Sequence, residues 1–225
     1  FCRYILNVRN STPNYMIYGE LGRHPLWITV CTRMIGFWFK LVNFQQNKLS
    51  CHLYRFLVSN NIENHWITKI KATLDQCGRT DIWLFQCTDS NKHLLRYVKQ
   101  QLCDQFYQSW LNNSNISNKA KFYFSFKDNL KIEDYLLLFQ SKYKRAMCNL
   151  RTSNHHLPVE TGRWIGLDYN SRKCHYCKSG KVGNEYHFLL ECNFLSVIRN
   201  TYLPKYFITY PNMPKFKTLV SSNNK

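Results

Sequence analysis

"HPLWITVCTRMIGFWFKLVNF", residues 24–44, is the stretch that decides the fold. Leu26, Val30, Ile35, Trp38 and Leu41 recur near the helical period, and Pro25 stands where the pattern restarts. The apolar face is broad, so the segment reads as a buried helix with Trp27, Phe37 and Trp38 as packing residues.

The same period continues outward. Upstream, "STPNYMIYGELG" offers Ser11 or Thr12 as an N-cap, Pro13 at the first helical position and Gly22 as a stop. Downstream, "ENHWITKIKATLDQCG" carries Trp66, Ile70 and Leu74, with Gly78 placed to end the helix. "KHLLRYVKQQLCDQFYQSWL" repeats the pattern through Leu95, Val98, Leu102, Phe106 and Trp110. "IEDYLLLFQSKYKRAMCNL" does so through Ile132, Leu136, Phe139, Tyr143, Met147 and Leu150, as one amphipathic helix of several turns. Glu133 and Asp134 open that helix, where negative charge complements its dipole. The expected fold class is therefore mainly α.

The polar run at 112–119 separates the last two helices and is a candidate subdomain boundary. A clearer change follows Leu150, where "RTSNHHLPVETGRW" brings Pro158 and Gly162. The expected organisation is a helical region over 1–150, a small zinc-knuckle subdomain with a basic loop and short helix over 151–210, and a polar tail over 211–225. The adjacent His155 and His156 diverge and read as part of a solvated loop.

That subdomain holds "CHYCKSGKVGNEYHFLLEC", residues 174–192. A C-x₂-C pair can reach one ion from a tight turn, and an imidazole and thiolate four residues apart can reach it from a helical turn. Thiolate and imidazole suit the borderline softness of Zn²⁺, and four ligands complete its tetrahedron. Cys174, Cys177, His187 and Cys192 are the expected ligands of one zinc. Gly180 and Gly183 lie where the chain must double back. His175, inside the cysteine pair, is badly aimed. Four filled positions leave no open site for water, so the expected zinc is structural rather than catalytic.

The chain has 225 residues, with 31 Lys and Arg against 13 Asp and Glu, a formal net charge of +18. Such an excess attracts polyanions. Arg151, Arg163, Arg172, Lys173, Lys178 and Lys181 gather near the cysteines, and Trp164 and Tyr176 offer flat faces for an unpaired base. They form either a nucleic-acid contact surface or a solvated basic face. No apolar run is long enough to span a bilayer, and the first residues do not form a signal peptide. Ten cysteines without such a signal point to a reducing compartment, hence an intracellular chain of the cytoplasm or nucleus, not a secreted one. No phosphate loop, serine triad or paired-aspartate polymerase motif is present.

"FCRYILNVRNSTPNYMIYGELGRHPL" resembles the segment that follows the polymerase core in LINE-type, non-LTR retrotransposon reverse transcriptases, where a "TPN…YGELGR.PL" run leads into a helical region. "RTSNHHLPVETGRW" and the cysteine–histidine run resemble the zinc-binding region at the C-terminal end of the same proteins. The resemblance brackets the helical middle. It implies that Cys174, Cys177, His187 and Cys192 are knuckle ligands and that element RNA or an RNA–DNA hybrid is the partner. It also implies that the polymerase aspartates belong to an upstream region not in this sequence, so that the chain is no enzyme by itself. The alternative is a zinc-stapled helical module that binds protein rather than nucleic acid.

Overall fold

The computed structural model describes residues 1–43, 48–86, 91–112, 119, 121–138 and 140–221. The chain is mainly α. Among the described residues there is no strand, only an isolated antiparallel bridge between Lys173 and Val182. None of the described helices is long and apolar enough to cross a membrane. Two compact units are present: His24–Leu111, and a discontinuous unit of Phe1–Arg23 with Asn112–Lys225. The polar run beginning at residue 112 falls at one unit boundary; its residues 113–118 lie outside the described residues.

The unit His24–Leu111 contains α3 (Leu26–Asn43), α4 (Leu49–Ser59), α5 (His65–Gln76), α6 (Thr80–Phe85) and most of α7 (Asn91–Asn112). Its core joins Ile28, Cys31, Ile35, Trp38, Phe39 and Leu41 of α3 to Ile70 and Leu74 of α5 and to Val98 and Leu102 of α7. The expected stripe on α3 was only half right. Ile35, Trp38 and Leu41 are buried, but Leu26 and Val30 are exposed, and Trp27 and Phe37 are partly so. Thr29, Thr32, Arg33, Lys40 and Asn43 share one polar side, but the apolar remainder is too broad to announce which part faces inward; the observed phase runs through Ile28 and Cys31. Trp38 keeps its indole N–H satisfied deep in this core by donating to the Tyr54 hydroxyl at 2.7 Å. Asn64 caps α5 by accepting from the Ile67 amide at 2.9 Å.

The second unit opens with α1 (Cys2–Leu6) and α2 (Asn14–Leu21). Pro13 occupies the cap position of α2 in place of Ser11 or Thr12, so the helix begins at Asn14, one residue later than expected, and Gly22 ends it at φ +58°. A side chain at Gly22 would also strike the backbone of Ile132 at 2.1 Å. That approach lets the Glu133 amide donate to the Glu20 carbonyl at 3.1 Å. After the short α8 (Tyr123–Phe126), the single helix expected from Ile132 to Leu150 is in fact α9 (Tyr135–Leu138) followed by α10 (Ser141–Arg151), with Gln140 extended between them. Ile132 and Tyr143 are exposed as a result, and Phe139 lies outside the described residues.

The expected polar tail contains α14 (Met213–Val220), capped by the Asn212 side chain at the Lys215 amide. Its Phe216 and Val220 are buried with Leu190, and the Phe216 ring meets Tyr186 and Phe122 edge-on. This places the tail directly behind the segment that carries His187.

Candidate metal centre

The segment 172–183 doubles back on itself. The Cys174 amide donates to the Lys181 carbonyl and the Gly183 amide to the Arg172 carbonyl, both at 2.9 Å. Gly180 turns the chain at φ +68°, and at Gly183 a side chain would collide with Pro158 at 2.6 Å. The hairpin thus lies flat on the start of α11 (Pro158–Trp164). His187 comes from a π-helical turn, His187–Glu191, whose first amide is capped by the Asn184 carboxamide at 2.9 Å.

These elements bring Cys174, Cys177, His187 and Cys192 together, with their ligating atoms all within 4.8 Å of one another. The Cys174 and Cys192 sulfurs are 3.9 Å apart, and Cys177 Sγ is 3.2 Å from His187 Nε2. Four such atoms at these separations could hold one metal ion. His187 and Cys192 are buried, and Cys174 and Cys177 are partly exposed. His175 is exposed and stands outside the group.

The surroundings of the ligands complete the geometry. His187 Nδ1 faces the Glu191 carboxylate at 3.4 Å, and Lys181 pairs with that carboxylate at 3.0 Å. A ring so held presents Nε2 inward. The Ser179 hydroxyl and its backbone amide, with His187 behind them, lower the Cys177 thiol to about 6, which favours the thiolate a metal needs. Burial raises Cys192. Behind Cys192, the buried Arg199 donates to the carbonyls of Leu189 at 2.8 Å and Cys192 at 2.9 Å. Arg199 therefore closes the backbone around Cys192 and sets a positive charge near that thiol.

Glu191, Asn184 and Arg199 escaped sequence reading. Glu191 follows His187 by four residues, a spacing that could have been noticed. Arg199 acts through backbone carbonyls, which leave no residue pattern to find.

The expected basic surface is divided by the structure. Arg151 is no part of it. Its side chain is wholly buried, pairing with Glu20 at 3.0 Å and Glu133 at 2.9 Å and donating to the Val220 carbonyl. Burial works against its charge, but Glu20 and Glu133 hold its pKa above the ordinary guanidinium value. Arg172 donates to the carbonyls of Val159 and Leu167, a structural use of its fork. Arg163 pairs with the buried Glu160 at 2.8 Å. Lys173 and Lys178 are exposed and form no ion pair among the described residues. Tyr176 is half exposed and stacks on Phe194 with ring centres 5.7 Å apart, while Trp164 is 47 % exposed.

The histidine doublet also differs from the expected solvated loop. His155 is mostly buried and donates through Nε2 to Glu185 at 3.0 Å, while its Nδ1 accepts from the Leu157 amide. The Ser153 hydroxyl donates to the same Glu185 oxygen at 2.6 Å. Burial would raise Glu185, but His155 and Ser153 keep its carboxyl below the usual range. Serine and histidine share one acceptor here and do not bond to each other, so this group braces the turn and is not a nucleophilic triad.

No family model matches the chain, and neither a curated protein nor a solved structure does.

Proposed function

We propose that the chain is a zinc-stabilised, basic nucleic-acid-binding module, related to the C-terminal region of LINE-type reverse transcriptases and without polymerase chemistry of its own. The observation that carries this reading is the set of three thiols and one imidazole, braced by Glu191 and Arg199, inside a strongly basic chain. Zn–S bonds of about 2.3 Å put tetrahedral sulfur–sulfur edges near 3.8 Å, close to the separation of Cys174 and Cys192. A zinc there supplies a constraint on the fold: it ties the hairpin 172–183 to the turn 187–191. Lys173 and Lys178 then stand on a fixed backbone, so less ordering entropy opposes an anionic partner. Element RNA or an RNA–DNA hybrid is the partner the family resemblance favours.

The test is a fluorescence anisotropy titration of a labelled 20-nucleotide single-stranded RNA. Zinc-loaded protein should bind it, and removal of the metal with a chelator should weaken binding about tenfold, since the basic residues lose their support. No binding by zinc-loaded protein at low salt would overturn the reading.

One observation favours a protein-binding module instead. Phe194, Val197, Ile198 and Tyr202 follow the last ligand at helical spacing and are all exposed. That reading predicts metal loading without RNA affinity.

A further inference from the structure

Arg9 lies far from the cysteines in sequence, yet it comes to rest on the same unit's α11. Its guanidinium stands over the Trp164 ring, 4.9 Å from the centroid, and donates to His156 Nε2 at 2.6 Å. The His156 and Trp164 rings meet edge-on at 5.5 Å. The loop bearing Arg9 is anchored: the Arg9 amide reaches the Asn154 side chain, the Thr12 amide donates to the Arg9 carbonyl, and Arg3 donates to the Thr12 carbonyl at 2.8 Å.

What distinguishes Arg9 is its company. Arg163 beside it has the Glu160 carboxylate, and Arg151 has two carboxylates. Arg9 is half-buried and has an imidazole and an indole face for company, with no carboxylate paired to it among the described residues. A guanidinium carries five N–H donors, and one bond to His156 leaves most of the fork available to an anion. Lys119 lies within electrostatic range of the Glu160 carboxylate as well as of Arg163 and Arg9, and Lys121 stands over the Tyr169 ring at 4.6 Å, so cations outnumber that one acid here.

We propose that Arg9, His156 and Trp164 form a binding site for a phosphate of single-stranded nucleic acid, with the adjoining base stacked on the Trp164 indole. Arg9 supplies the charged fork, and His156 holds that fork over the ring. Trp164 supplies a flat face of the kind on which bases of any sequence stack. The site rests on the nucleic-acid reading above but places the principal contact at Arg9 and Trp164 rather than at the exposed lysines of the hairpin.

The experiment uses the full zinc-loaded chain and the same labelled RNA. Arg9→Gln and Trp164→Ala should each weaken binding by about tenfold, with zinc content and far-UV circular dichroism unchanged. Lys173→Glu with Lys178→Glu should weaken it less. Inorganic phosphate, at about 10 mM, should displace little RNA, because it cannot stack. If the parent binds RNA but Arg9→Gln and Trp164→Ala bind equally well, the site is overturned and the functional reading survives. If the parent binds no RNA, the reading falls and takes the site with it. If phosphate alone binds in an Arg9-dependent way and clears the RNA, the ligand is free phosphate and the proposal is overturned. Should Arg9→Gln lose its zinc or its helix signal, Arg9→Lys serves in its place: it keeps the charge without the fork and should still bind several-fold more weakly.

Discussion

Arg151 shows how far a residue's role can depart from its neighbourhood in sequence. It follows a helix and precedes a basic loop, and by composition it belongs to a charged surface. In the structure it is a buried cation between Glu20 and Glu133, with the Tyr135 hydroxyl donating to Glu20 at 2.6 Å. Glu20 sits in "YGELG" and Arg151 opens "RTSNHH", 131 positions apart. Their pairing joins the ends of the chain into one unit. Removing one partner leaves the other charged and dry, so Arg151→Ala should cost about 3–5 kcal/mol in a urea unfolding titration of the zinc-loaded protein. A loss within about 0.5 kcal/mol would mean that water reaches the pair. Nothing local in either stretch reveals the pair: Arg23, three residues after Glu20, is the nearer candidate in sequence, and Arg151 has no acid within four residues.

At the scale of elements, the helices were legible and their faces only partly so. α5 and α7 carry narrow stripes, and Ile70, Leu74, Val98, Leu102 and Trp110 are buried as the period implies. α3 has an apolar face broader than its partners cover, so tertiary packing sets which part is buried and Leu26 and Val30 are left exposed. α9 begins only at Tyr135, three residues after the expected start, because the Glu133 amide and carboxylate are engaged sideways by the Glu20 carbonyl and by Lys127. The group Cys174, Cys177, His187 and Cys192 that could hold a metal was legible because a shared ion constrains such residues' spacing in the chain itself. Their support was not, since Arg199 on α12 (Ser196–Tyr202) acts on carbonyls of the preceding turn. Arg199→Met keeps the bulk and removes the donors. We expect about a tenfold loss of zinc affinity in a chelator competition, comparable to the loss of an outer-shell partner. Unchanged affinity would show that the π-helical turn holds its shape unaided.

The whole molecule divides its labour between two units. The unit His24–Leu111 contains none of the four ligands and has its own aliphatic and aromatic core. Chelation should therefore leave most of the far-UV helical signal intact while the 174–192 segment becomes open to proteolysis. Collapse of the whole helical signal would show that both units depend on the metal. The division itself was half visible: the polar run at 112 marks one edge, but at His24 "GRHPL" reads as a helix restarting, not as a change of unit.

Net charge belongs to the molecule as a whole, and there the account meets its most direct test. A formal charge of +18 that serves nucleic-acid binding must release counterions when RNA binds. The measurement is the affinity of zinc-loaded protein for single-stranded RNA from about 50 to 300 mM salt, plotted as log K against log salt concentration. Each phosphate neutralised contributes about −0.7 to the slope on a single strand, so contacts from several cations should give a slope steeper than about −2. A flat line, or no binding at the lowest salt, would contradict the account and leave the metal centre as the staple of a protein-binding module.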